Sequence, residues 1–144
     1  MVDKDLLKEL KEKFDAGPEN AEPDDILKVY ELFKQISEEN DDLKEAMEDM
    51  DIKVQMNITD IDKKFWVSVS EGVFNYGEGE IEDASFTFST TKDVGSSLIY
   101  GQTDATSAYM AGDITVEGNL QDAMAFQEII ELCTEAFEDL KEDL

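Results

Sequence analysis

The hydrophobic residues of this chain follow two rhythms, and the change between them comes at Ile52. Before it, Leu6, Leu7, Leu10 and Phe14 recur at helical spacing and predict a short helix over residues 3–14. A breaker segment, Asp15 to Asp25, carries Gly17, Pro18 and Pro23 and is the one stretch that reads as a linker. A second helix is predicted from a cap at Asp24 or Asp25 to about Asn40, with Ile26, Val29, Tyr30, Phe33 and Ile36 on its apolar face. A further short helix, about Asp41 to Met50, carries Leu43, Met47 and Met50.

From Ile52 the period is two. Ile52, Val54, Met56 and Ile58 alternate with Lys53, Gln55 and Asn57, which predicts a strand with one buried face. After a turn at Asp60–Lys63, Phe65, Val67 and Val69 alternate with Trp66, Ser68 and Ser70 in a second strand. Val73, Phe74 and Tyr76 either continue that strand beyond a bend or form another, and Gly77-Glu78-Gly79 reads as a turn. Phe86 and Phe88 alternate with Ser85, Thr87 and Ser89 in a further strand. A helix from Thr91 to Tyr100, capped by Thr91 or Asp93, stops at Gly101. Thr103–Ala111 is a second short helix, and Ile114 and Val116 form a brief strand ending at Gly118. The last helix begins near Leu120 and ends near Leu140. Its apolar positions cover roughly half the circumference, which implies contact with more than one layer. This order predicts an α+β fold with a mostly antiparallel sheet covered on one face by helices.

A length of 144 residues suits one domain. Within it, residues 1–23 read as a helical arm and linker, and residues 24–144 as the body. Charge narrows the function more than length does. The formal net charge is −25, with 37 acidic residues against 12 basic ones, all of them lysine. Nucleic acid is not expected as a partner, since its phosphates would be repelled and no arginine exists to grip them. Anionic membranes are disfavoured for the same reason. The acidity fits either a salty cytoplasm or a simple need for solubility.

The chain has no histidine, so Ser-His-Asp and Cys-His catalytic arrangements and imidazole zinc sites cannot be built. One cysteine, Cys133, allows neither a thiolate cluster nor an internal disulfide. Its neighbours in the last helix mark it as a buried small hydrophobe rather than a reactive thiol. No catalytic residue, cofactor or metal is expected. Paired acids at Asp41-Asp42, Glu82-Asp83 and Glu142-Asp143 lack the spacing of a calcium loop, and charged helix faces account for them. Gly77-Glu78-Gly79 lacks the third glycine of a nucleotide fingerprint. The N-terminus has no apolar signal core and no run approaches the ~18 apolar residues that span a bilayer, so a cytoplasmic protein without membrane insertion is expected. The sequon Asn57-Ile58-Thr59 is then coincidental, and Glu142-Asp143-Leu144 is no peroxisomal signal.

The segment Ala84 to Leu132 is the most informative. An alternating strand leads to a helix ended by Gly101, then Ser107-Ala108-Tyr109-Met110-Ala111-Gly112, Ile114, Val116, Gly118 and Asn119, and an apolar helix. An aromatic, a glycine, two alternating aliphatics and a second glycine before the last helix resemble the sterol carrier protein 2 family. The likeness covers about residues 24–140. It departs from the family at Asp113, where a basic residue often follows the glycine, and in lacking any basic surface. A prokaryotic cytoplasmic version fits those departures better than a peroxisomal one.

What the resemblance implies is a five-stranded sheet and a non-enzymatic tunnel for a fatty acid, fatty acyl derivative or sterol-like lipid between sheet and helices. Candidate walls on the strands are Val54, Met56, Val67, Val69, Phe86, Phe88, Ile114 and Val116. On the helices they are Leu98, Ile99, Tyr109, Met110, Met124, Phe126 and Ile130. Plain core packing is the competing reading of each. Tyr100, Gln102 or a lysine are the candidates for holding a headgroup. Two other functions stand beside lipid carriage: a scaffold assisting enzymes of lipid or isoprenoid-quinone metabolism, and an acidic enzyme or divalent-cation binder.

Overall fold

The computed structural model describes residues 2–17, 22, 24–99 and 105–142, with Ile99 and Ala105 described by backbone alone. Three helices come first: α1 (Lys4–Ala16), α2 (Asp25–Glu39) and α3 (Asp41–Glu48). Strands β1 (Asp51–Ile58), β2 (Lys63–Ser70), β3 (Val73–Glu78) and β4 (Phe86–Thr90) follow. Then come α4 (Lys92–Ile99), α5 (Ala105–Ala111), β5 (Thr115–Gly118) and α6 (Leu120–Glu142). The expected stop at Gly101 and the linker residues Pro18 and Pro23 lie outside the described residues.

The helix starts follow local hydrogen-bond chemistry. Asp3 accepts from the N–H groups of Asp5 and Leu6, Asn40 from that of Leu43, and Asn119 from those of Gln121 and Asp122. Each supplies an oxygen to a helix donor that has no partner within the helix. Of the two caps expected for α4, Thr91 is the one that bonds, to Val94 N–H at 3.4 Å. Asp24 occupies the cap position of α2 without a side-chain cap bond. Asp25 instead turns its carboxylate to Lys13 at 2.7 Å and to the N–H of Glu22 at 2.9 Å.

The sheet order is β3-β2-β1-β4-β5. Three of its pairings are antiparallel, but β1 and β4 run parallel, so the sheet is mixed. The segment 79–85 explains why. β3 is an edge strand, and the chain leaves it level with Phe65, then crosses β2 and β1 to start β4 level with Val54. It crosses on the face away from the helices. There the side chain of Gln55 receives it, bonding the carbonyl of Gly79 and the N–H of Ile81. Gln55 is therefore buried although alternation places it on the polar face.

Val73, Phe74 and Tyr76 form a strand of their own, turned back by Glu71 and Gly72, both with positive φ, as a tight hairpin requires. The reading of Gly77-Glu78-Gly79 as a turn is corrected: Gly77 and Glu78 end β3. Gly77 faces Trp66 across the ladder, and a Cβ there would lie 2.7 Å from the indole ring. The glycine makes room for a cross-strand aromatic, which sequence reads as a break.

The helices divide the sheet's inner face. α2 and α3 pack on the β2–β3 half, sealing Val67, Val69 and Phe74, each at most 1% exposed. α6 reaches β4 and β5 with its first turns, then runs on against α1, α2 and α3. Its buried residues are Phe126, Ile129, Cys133 and Phe137, and burial pushes the Cys133 thiol up to about 12. α1 joins the same core through Leu7 and Leu10, and Phe14 meets Phe137 edge-on at 4.8 Å. No described helix is long and apolar enough to cross a membrane.

Candidate functional site

The β1–β4–β5 half of the sheet is covered less closely, and a cavity of about 960 Å³ lies above it. That is near the top of the roughly 300–1,000 Å³ range of small-molecule pockets. Its lining is mostly apolar. Val54, Met56 and Ile58 of β1, Phe65 of β2, Phe86 and Phe88 of β4 and Val116 of β5 supply the sheet side. Ile26, Tyr30 and Phe33 of α2 and Ala123, Phe126 and Ile130 of α6 supply the facing side, and Leu98 and Tyr109 come from α4 and α5. The strand pairing brings the sheet residues together, because Val54 lies opposite Phe86 and Met56 opposite both Phe88 and Phe65.

Two glycines shape one end. Gly118 has φ +113°, and a Cβ there would come within 2.6 Å of the Ser85 carbonyl, so β5 can approach β4 only without one. Gly112, at φ +83°, turns α5 toward β5 and leaves Ile114 buried beside the cavity.

Most of the walls expected from sequence meet here: Val54, Met56, Phe86, Phe88, Leu98, Tyr109, Ile114, Val116, Met124, Phe126 and Ile130. Val67 and Val69 do not. They share the inward face but lie under α2 and α3, in the sealed half of the sheet. Met110 is 81% exposed and points away from the lining. The side chain of Ile99, and Tyr100 and Gln102 as headgroup candidates, lie outside the described residues. Sequence reasoning passed over Ile26, Tyr30, Phe33, Ile58, Ile61, Phe65 and Ala123. Ile58 and Phe65 could have been found, since each shares the inward face with a neighbour that was chosen.

The opening carries exposed apolar side chains, Leu120 at 53% and Met124 at 68%, one turn apart on α6, with Tyr109 beside them. Lys92 is the one cation among the described lining residues, and between it and Lys141 the chain has no basic residue at all. Acids at the rim include Glu131 and Glu135 of α6, and Glu22 and Asp25 at the start of α2. Burial raises the Asp25 carboxyl's affinity for a proton. The Glu22 N–H and the Lys13 ammonium outweigh that and hold it below the usual carboxylate range. Among the described residues no cluster of histidine, cysteine or carboxylate side chains could hold a metal ion.

A model of the SCP-2 sterol transfer family matches residues 33–131. No curated protein matches the sequence. Among solved structures, UbiJ-SCP2, described as a ubiquinone synthesis protein, is 18% identical with a TM-score of 0.60, over 74% of this chain and 88% of that one. Palmitated SCP2L2 from Aedes aegypti is 19% identical with a TM-score of 0.54, over 71% of this chain and 90% of that one. The stereoselective inverting sec-alkylsulfatase Pisa1 from Pseudomonas sp. is 16% identical with a TM-score of 0.54. That match takes in 60% of this chain, which spans only 14% of the sulfatase. At these identities the structures share the fold, and the family match covers well over half of the sequence. The chain belongs to the SCP-2 sterol transfer family.

Proposed function

We propose that this protein binds a lipid, without catalysing a reaction on it, in the cavity between β1–β4–β5 and the helices α2 and α6. The observation that carries this reading is an apolar cavity of about 960 Å³ inside a domain whose other half is tightly sealed. The family match supports it, as does the Aedes protein of the same fold, described as palmitated. The ligand is a fatty acid, a fatty acyl derivative or a sterol-like molecule, and its walls are the lining residues of β1, β4, β5, α4, α5 and α6. Burying about fifteen methylenes gains roughly 12 kcal/mol before costs, at ~0.8 kcal/mol each. Ordering and association take back about 4–15 kcal/mol, so affinity is modest and selection is by shape. Lys92, at the N-terminal end of α4, is the side chain suited to an anionic headgroup. The setting is cytoplasmic, and transfer of the lipid between sites is the physiological use.

A second reading has its own observations. UbiJ-SCP2 shares the fold, and exposed Tyr109, Leu120 and Met124 lie at the cavity, with exposed Met110 next to Tyr109 on α5. They suit an accessory domain that meets enzymes of lipid or isoprenoid-quinone metabolism. Titration with a naturally fluorescent polyene fatty acid separates the two. Saturable binding at one site per chain supports the carrier, whereas the absence of saturable enhancement excludes it and leaves the accessory role.

A further inference from the structure

The cavity holds one buried polar group that its apolar character does not explain. Tyr30 is 3% exposed and lies among rings, with Phe33, Phe74 and Tyr76 at centroid distances of 6.5, 6.1 and 6.4 Å. Its hydroxyl has one partner among the described residues, the sulfur of Met56 at 3.5 Å. A thioether is a weak acceptor. Tyr76, across from it on β3, shows the contrast, since its hydroxyl donates to the carboxylate of Glu31 on α2 at 2.7 Å. Tyr30 and Met56 both line the cavity. Met56 is only partly buried and has three rotatable bonds, so it can swing aside without disturbing the core.

From this we propose that the Tyr30 hydroxyl is a ligand-recognition group that donates to a neutral oxygen of the bound lipid, with the Met56 sulfur as the acceptor it leaves. This rests on the lipid-binding reading and narrows it. The favoured guest carries a ketone, ester or alcohol oxygen within its apolar body, and a wholly hydrocarbon tail satisfies the site less well. A carboxylate does not suit this position. Lys92, the one lysine among the described lining residues, stands on α4 rather than beside Tyr30, and an unpaired anion there would lose its hydration without compensation. Burial pushes the ionisation of Tyr30 far above the ordinary tyrosine range, so the group stays a donor at any physiological pH.

The test is displacement of the fluorescent polyene fatty acid by octadecanoate and by a positional series of mono-keto octadecanoates. Wild type, Tyr30→Phe and Met56→Leu are compared. For wild type, one keto position is expected to bind about three- to tenfold more tightly than the plain chain, the worth of one hydrogen bond. Tyr30→Phe abolishes that margin, read as the ratio of keto to plain affinity within the same variant. Met56→Leu removes the competing acceptor and is expected to widen the margin, so a margin that does not widen counts against the assignment even where Tyr30→Phe folds poorly. A margin unchanged in Tyr30→Phe, or no favoured keto position in wild type while the plain chain binds, overturns the recognition role and leaves lipid binding standing. Failure of every ligand to bind wild type overturns both.

Discussion

The side-chain oxygen of Gln55 accepts the backbone N–H of Ile81 at 2.9 Å, and its amide nitrogen donates to the carbonyls of Phe65 at 3.1 Å and Gly79 at 3.2 Å. One side chain thus ties β1 and β2 to the crossover that makes the β1–β4 pair parallel, and so fixes where β4 lies under the cavity.

Gln55→Ala removes all of these bonds and takes a partner from the half-buried Gly79 carbonyl and Ile81 N–H and from the buried Phe65 carbonyl. A loss of about 2–3 kcal/mol is expected, on the scale of a buried polar group left unmade. Urea unfolding measures it, and a loss below about 1 kcal/mol would show that the crossover is held by other contacts.

The Asp25–Lys13 pair predicts how stability depends on acid. The folded carboxyl lies below its unfolded value. Its contribution is therefore complete above roughly pH 4, the ordinary Asp range, and is lost as pH falls through the folded value. Asp25→Asn should be less stable than wild type at neutral pH, with a gap that narrows on acidification. Lys13→Met, which strands the carboxylate beside an apolar side chain, should cost about 1–3 kcal/mol, less than a fully buried pair because Lys13 is 27% exposed. A gap for Asp25→Asn that stays constant from neutral to acid would refute the assignment.

Leu10 tests the relation of the first helix to the body. It is 0% exposed and belongs to the same core as Ile129 and Cys133. Leu10→Ala should cost about 2–5 kcal/mol within a single unfolding transition. A small loss, or an early separate transition in differential scanning calorimetry, would instead mark residues 1–23 as a detachable arm.

The elements were legible because one face of each is buried. Alternation from Ile52 to Ile58 and from Phe65 to Val69 gave both strands and their inward residues. Alternation does not say which helix lies above a given residue, however. Val67 and Met56 follow the same pattern, yet α2 and α3 seal the first and the cavity meets the second. The parallel β1–β4 pair was hidden for a related reason. It depends on where residues 79–85 cross, and the residue that anchors them, Gln55, reads as an ordinary outward polar position. Tyr30 was read as part of an apolar face, which it is. Its weakly partnered hydroxyl follows from what lies across from α2, and no local pattern encodes that.

The most direct test of an unfilled interior is native mass spectrometry with excess palmitate, on wild type and Ala123→Trp. Ala123 lines the cavity from α6, so an indole there projects into it and blocks the path of an acyl chain along that helix while the fold remains intact. One retained palmitate per wild-type chain, and none on a folded Ala123→Trp chain, is the predicted result. Equal retention by both proteins, or none by wild type, would contradict it.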